Sequence, residues 1–267
     1  MSSSNNSGGG FKSIFAAIVI PAAIIVAIGI YMFILGNPAN FMENDPNNHP
    51  NNYLGIIHKG GVIVPILISL LLIVITISIE RMLTIGASKG KSSVDSFVGS
   101  IRSLLSKGDL NTAIAECDKQ KGSIANVVKA GIESYRKMQS ESSLDKERKT
   151  AAIQKELDEA TTLELPMLSK NLVIISTVAS VATLMGLLGT VIGMIRAFAA
   201  LAQAGAPDAI ALATGISEAL INTALGVGTS ALAIIMYNYF TNKIDSLTYG
   251  IDEASYSIVQ SFTANTK

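Results

Sequence analysis

Asp208–Asn242 reads DAIALATGISEALINTALGVGTSALAIIMYNYFTN, and Glu218 is the only formal charge between Asp208 and Lys243. An apolar run of this length suits a membrane-spanning helix, because ~20 residues rising 1.5 Å each cross the hydrocarbon core. A carboxylate at that depth costs at least ~2.5–3.5 kcal/mol on insertion scales. Such residues face a bundle interior or a water-filled cavity, and they mark ion or proton paths. Glu218 is therefore the first candidate site, as a proton-handling carboxyl. Desolvation disfavours the charged form of a carboxyl, which suits a group that alternately loads and releases a proton.

Composition points the same way. Of 267 residues, 49% are hydrophobic and 15% are charged, against ~25% charged in a soluble domain. The net charge is zero, so no basic surplus suggests nucleic acid. Cys117 is the one cysteine, which excludes an intrachain disulfide. His49 and His58 lack further ligands at close spacing, so neither a metal site nor a cofactor is expected.

Outward from Glu218, the chain divides by hydropathy. Residues 1–13 open MSSSNNSGGG and read as disordered. Residues 14–35 form a first span, with Pro21 expected to kink it. Its apolar run exceeds the ~7–15 residues of a signal-peptide core. Residues 36–59, with three prolines and seven asparagines, read as a polar periplasmic loop with solvated histidines and no packed helix. Residues 60–79 form a second span with Pro65 near its start, ended at a water boundary by Glu80 and Arg81.

Residues 80–170 follow as a soluble helical region. Arg81–Lys170 holds 15 of the chain's 20 Lys and Arg, so the positive-inside rule makes it cytoplasmic. Val94, Phe97, Val98, Ile101, Leu104 and Leu105 fall at the spacing of an amphipathic helix, with Ser92 or Ser93 as its cap. Asp109 caps a second short helix. Ile124–Met138 is a third, and Leu144–Leu165 begins a long charged one. Residues 171–202 form the third span, with Pro166 as a kink before it and Arg196 snorkelling near its outer end. Residues 203–208 (QAGAPD) make a periplasmic turn, and 209–242 form the fourth span. In 243–267, Ile244, Leu247, Ile251, Ala254 and Ile258 mark a cytoplasmic tail helix that packs on 81–170 or on a neighbouring copy. The fold class expected is an all-α integral membrane protein with four transmembrane helices, long helices extending into a cytoplasmic helical domain, and both termini inside.

The third and fourth spans form a hairpin. Glu218 lies ~15 Å below Asp208 and Thr190 ~20 Å below Gln203, so the two reach similar depth. Thr214, Glu218, Asn222, Leu225 and Thr229 fall within about 40° of one direction on an ideal helix. This polar stripe offers hydroxyl and amide partners for the carboxyl, or glue between helices. Gly186, Gly189 and Gly193 have the small-residue spacing that permits close helix packing.

Gly186–Gly193 (GLLGTVIG), Gly215–Gly226 (GISEALINTALG) and Tyr237-Asn238 together resemble the MotA/TolQ/ExbB proton-channel family, most closely its ExbB and TolQ members. The resemblance covers about 60–267. It implies a bacterial inner-membrane protein that assembles as a homopentamer around the single spans of an ExbD-like partner dimer. Proton flow through that assembly energises a TonB-like protein for outer-membrane transport. The family's conserved glutamate falls on Glu218 and its pore threonines on Thr190 and Thr223. The proton itself is assigned to a partner aspartate with this polar lining, so Glu218 is implied to tune the path. Two departures stand out: 1–59 has no counterpart in three-span members, and Thr223 lies ~140° around the helix from Glu218, which leaves Asn222 to replace or assist it.

A TolQ-like envelope-maintenance subunit and a flagellar or gliding stator are the alternatives within the superfamily. A passive scaffold is the alternative outside it. An intramembrane enzyme is not expected, because no span carries paired aspartates, a Ser/His pair or HExxH.

Overall fold

The computed structural model describes residues 7–46, 48–202 and 208–265. Among these residues there is no strand, only one isolated bridge between Phe41 and Pro50. The helices are α1 (Ser7–Gly29), α2 (Tyr53–His58), α3 (Ile63–Lys89), α4 (Val94–Ser106), α5 (Leu110–Gln120), α6 (Gly122–Ser140), α7 (Lys146–Ser169), α8 (Leu172–Leu201) and α9 (Ala209–Asn265). A π-type turn, Ile30–Leu35, continues α1. Four helical stretches, in α1 with its π-type turn, α3, α8 and α9, are long and apolar enough to cross a membrane. The chain is an all-α, multi-pass membrane protein.

The helices divide into two compact units. Met1–Ile79 with Val173–Tyr237 make the first; Glu80–Leu172 with Asn238–Lys267 make the second.

The first unit holds α1, α2, α8 and the apolar lengths of α3 and α9. Ile25, Phe33, Val173 and Leu220 are exposed large apolar side chains, as a lipid-facing surface requires. Helix α1 begins at Ser7, inside the stretch that composition reads as disordered. Extending a formed helix costs far less than nucleating one, so the apolar run carries its polar flank into helix. Pro65 falls in the first turn of α3, where no intrahelical bond is lost.

The segment 36–59, expected as an unpacked loop, is ordered by its asparagines, and α3 begins at Ile63, three residues after the expected start of the second span. Asn40 is buried, and its Nδ2 donates to the Ile34 carbonyl at 2.7 Å and the Leu35 carbonyl at 3.0 Å. These are carbonyls that the end of the π-type turn leaves open. Asn52 donates to Asn40 Oδ1 at 3.0 Å and caps α2 by accepting from the Gly55 N–H at 3.0 Å. The asparagine count that argued against a helix thus supplies its cap. His58 is half-buried rather than solvated. Its ring stacks on Tyr31 with centroids 4.6 Å apart and meets the Phe41 ring edge-on at 5.5 Å. Burial, with Lys59 beside it, holds its pKa below the ordinary histidine value.

The second unit is built from α4 to α7, the end of α3 and the C-terminal part of α9. Ile101, Ile132, Ile153 and Ile258 are fully buried; each such side chain stabilises the fold by ~1.5–3 kcal/mol. Ser93 caps α4 and Asp109 caps α5. The tail is not a separate helix but the end of α9. Its expected apolar positions Leu247, Ile251, Ala254 and Ile258 are buried, and Gly250 abuts Val94 so closely that a Cβ would lie 2.2 Å from Val94 Cγ1.

The second span is expected to end at Glu80 and Arg81; the helix itself runs past them to Lys89. Arg81 is buried, paired with Glu80, and donates to the Met167 and Leu168 carbonyls at 3.2 and 3.3 Å. It caps the C-terminus of α7, where a cation is favoured by the helix dipole. The chain also breaks not at Pro166, which lies inside α7, but at Asn171, whose φ is 65°. Asparagine tolerates that left-handed conformation better than most residues.

Gln120 joins α3, α4 and α5. Its Nε2 donates to the Lys89 carbonyl at 3.0 Å and the Ser92 carbonyl at 3.2 Å. Its Oε1 accepts from the Ser92 N–H at 3.0 Å and the Ser92 hydroxyl at 2.6 Å. Cys117 is buried, and burial pushes its thiol up to about 12. It is a core residue, not a reactive one.

Candidate functional site

The site lies in the first unit, where α8 and α9 approach through glycine. A Cβ at Gly193 would stand 2.7 Å from both the Ala219 nitrogen and the Gly215 oxygen. One at Gly226 would stand 2.6 Å from the Ala182 oxygen, and one at Gly186 would stand 3.0 Å from the Asn222 oxygen. Backbone meets backbone at these points, so the small residues of the two helices set the spacing together. Gly215 and Gly226 on α9 answer the glycines read on α8. Gly189 instead makes room for a polar side chain: its Cβ would lie 2.4 Å from Asn222 Cβ.

Close approach puts the polar groups of the hairpin in two clusters. In the first, the Thr190 hydroxyl donates to its own helix at the Gly186 carbonyl, 3.1 Å away, and lies 3.4 Å from the Ala219 carbonyl. It also pairs with the Thr223 hydroxyl across the hairpin. The two threonines are thus each other's partners, and Thr190 does not reach Glu218. The ~140° between Thr223 and Glu218 is accommodated by turning the two side chains to different neighbours.

In the second cluster, Glu218 is only 3% exposed. Both of its oxygens accept from Arg196 Nη1, at 2.6 and 2.8 Å. Asn222, one turn on, is 0% exposed. Its Nδ2 donates to the Gly60 carbonyl at 2.8 Å, while its Oδ1 has no partner among the described residues. The Gly60–Gly61 turn before α3 lies directly against both residues. Gly61 has φ +75°, and a Cβ there would fall 2.3 Å from Glu218 Oε1 and 3.3 Å from Arg196 Nη1. Both the backbone conformation and the space therefore require glycine.

The rest of the stripe is mixed. Thr229 is buried, while Thr214 is half-buried and donates to the Ile210 carbonyl at 2.9 Å. Thr214 and Ser217 line a cleft with His49, Pro50 and Lys59. Asp208 caps α9 by accepting from the Ile210 and Ala211 N–H groups at 3.0 Å. The rest of the turn expected at 203–208 lies outside the described residues. Among the described residues no group of three or more His, Cys, Asp and Glu side chains could hold a metal ion.

Arg196, expected to snorkel, pairs with Glu218, a partner not expected for it from the sequence. The signal was available in the hairpin register: Arg196 lies ~10 Å below Gln203 and Glu218 ~15 Å below Asp208. An arginine side chain spans that difference, and it is the only opposite charge on the facing arm. The role of Gly61 was less visible, because nothing in a Gly-Gly pair names the carboxylate it will meet.

Comparison with known proteins adds the following. Residues 119–253 match the model of the MotA/TolQ/ExbB proton channel family. The Tol-Pal system protein TolQ of Pseudomonas aeruginosa is 28% identical over 124 residues, 46% of this chain and 54% of that protein. A putative biopolymer transport protein, ExbB-like 3, of Synechocystis is 36% identical over 86 residues, 32% of this chain and 41% of that protein. The biopolymer transport protein ExbB of Pseudomonas putida is 33% identical over 86 residues, 32% of this chain and 26% of that protein. In these alignments the chain spans about half or less of each relative's length.

Proposed function

The chain belongs to the MotA/TolQ/ExbB proton channel family, and from that premise we propose that it is the channel subunit of a motor driven by the proton-motive force. One observation carries the reading. Glu218 is a buried carboxyl in a hairpin of membrane-spanning helices, with an arginine, an amide and a pair of threonine hydroxyls within a few turns. A lone structural carboxyl needs none of that apparatus, because a neutral apolar residue would pack there at lower cost.

In this reading several copies of the chain, five by family resemblance, surround the spans of an ExbD-like dimer. Glu218, Asn222, Thr190, Thr223 and Thr214 line or tune the proton path, and Gly186, Gly189 and Gly193 hold the hairpin closed. The basic Arg81–Lys170 region faces the cytoplasm of a bacterial inner membrane, with both termini on that side. A membrane potential supplies ~2.3 kcal/mol per charge per 100 mV, so a few protons drive a rearrangement costing several kcal/mol. The load is a TonB-like protein that energises outer-membrane transport. A TolQ-like envelope role is the second reading, favoured by the similarity to proteins so named.

Glu218→Gln tests the proposal. Energy-dependent uptake is lost while the protein still assembles with its partners; full uptake in the variant removes Glu218 from the mechanism. Co-purification with mass measurement of the complex separates the two loads. A TonB-like companion supports the first, and a Tol companion replaces it with the second.

A further inference from the structure

Two features of the site are unexplained by a carboxyl held in one place. The first is Arg196. A single guanidinium nitrogen bridges both Glu218 oxygens, while the side chain as a whole is 53% exposed. Both of its bonds to Glu218 come from that one nitrogen. The second is Asn222 Oδ1. It is an acceptor fully enclosed in the unit, without a donor among the described residues, on a side chain four residues beyond Glu218. Residues so spaced are neighbours on one helix face. Leaving a buried acceptor unpaired costs ~1–3 kcal/mol.

A carboxyl has different needs in its two states. Ionised, it only accepts hydrogen bonds; protonated, it has an O–H to donate. Arg196 serves the first state and cannot serve the second. Asn222 Oδ1 is what the second state requires.

We propose that Arg196 and Asn222 are the positioning residues of a two-state carboxyl, with ionised Glu218 held by Arg196 and protonated Glu218 donating to Asn222 Oδ1. Taking up one proton at a Glu218 oxygen raises the charge of the Arg196–Glu218 pair from zero to plus one. The carboxyl then rotates about its own side-chain bonds toward Asn222. The guanidinium keeps all its protons, and its half-exposed side chain moves off the carboxyl. Gly61, which has no Cβ, leaves room for the carboxylate at its Arg196 position. Tyr31 on the first span is a titratable group whose interactions reach this pair; Lys59 stands over the Phe41 ring, 5.7 Å from its centroid. The inference deepens the reading of Glu218 as the proton-handling group, and its test does not depend on transport.

Infrared difference spectra of the purified full chain in lipid nanodiscs report the state of Glu218 directly, with Glu218→Gln identifying its bands. Wild type and Arg196→Lys at neutral pH show the ionised carboxylate bands. Arg196→Gln loses them and gains the carbonyl stretch of a protonated carboxyl. Adding Asn222→Ala to Arg196→Gln moves that stretch upward, because the carboxyl no longer donates a hydrogen bond. Should Arg196→Gln not fold, Gly61→Ala serves in its place. It changes no charge but drives a Cβ into the carboxylate, and the ionised bands again give way to the protonated one. Ionised bands persisting without Arg196, or in Gly61→Ala, overturn the proposal; so does a carbonyl stretch indifferent to Asn222. If instead the spectra behave as stated and Glu218→Gln still transports, the switch stands and the functional reading falls.

Discussion

Gln120 in the second unit and Asn222 in the first are both buried amides, and their bonding differs. Gln120 uses both ends of its amide and ties three helices with four hydrogen bonds. Asn222 uses one end, to Gly60, and leaves the other open. The arginines differ likewise. Arg81 is enclosed, shared between Glu80 and two helix-end carbonyls, whereas Arg196 gives one nitrogen to Glu218 and is half-exposed as a side chain. Gln120 and Arg81 spend their hydrogen-bonding capacity on the junctions they make; Asn222, beside Glu218, keeps an acceptor in reserve. Spare capacity costs stability, and it is what a group that changes partners needs.

The packing differs in the same sense. The second unit fills its core with Ile, Leu, Phe and Tyr, while the hairpin of the first brings backbone against glycine. The largest effect should therefore come from Gly193→Val. Its new atoms meet Ala219 and Gly215 backbone that cannot yield, at a cost of ~3 kcal/mol or more. Thermal unfolding in detergent measures it, and a variant as stable as wild type breaks the comparison. Gln120→Ala comes next, at roughly 2–3 kcal/mol, because it strands carbonyls and an N–H at the α3–α4–α5 junction; chemical denaturation of the chain reports it, with transport little changed. Thr190→Val inverts that pattern. It removes one side of the threonine pair at near-constant volume, costs about 1 kcal/mol of stability, and lowers proton flux several-fold. Unchanged flux makes the pair a structural clip.

Two smaller effects sharpen the boundary. His58 has a depressed pKa in the folded chain, so the unfolded chain binds its proton more readily. The stability that neutral His58 contributes to the 36–59 segment is full above the ordinary value of 6.5 and is lost as pH falls from there through the lower folded value. Hydrogen exchange over 53–58 should rise across that window, and His58→Phe should flatten the rise. Cys117, pushed up to about 12, should react with maleimide only on unfolding; rapid labelling of the native chain contradicts a closed second unit.

Much of this was legible in the sequence. Four apolar stretches, the caps at Ser93 and Asp109, the buried face of the tail and the glycines of α8 follow from local periodicity and residue chemistry. Glu218 stood out because a charge in lipid is costly wherever it lies. What stayed hidden depends on side-chain choices between distant segments. An arginine near a span end can reach either way by its own stereochemistry, and the partner that holds Arg196 sits on the facing arm. The asparagines of the 36–59 segment look like loop composition until Asn40 finds the carbonyls of Ile34 and Leu35. Gly61 is invisible as a site residue because its contribution is the absence of a side chain.

The most direct test of the central claim is proton flux. The full chain, co-purified with its partner and reconstituted in liposomes under an imposed membrane potential, should conduct protons. Glu218→Gln in the same assembly should lower the flux at least tenfold while composition and stability hold. Wild-type flux through that variant would contradict the account.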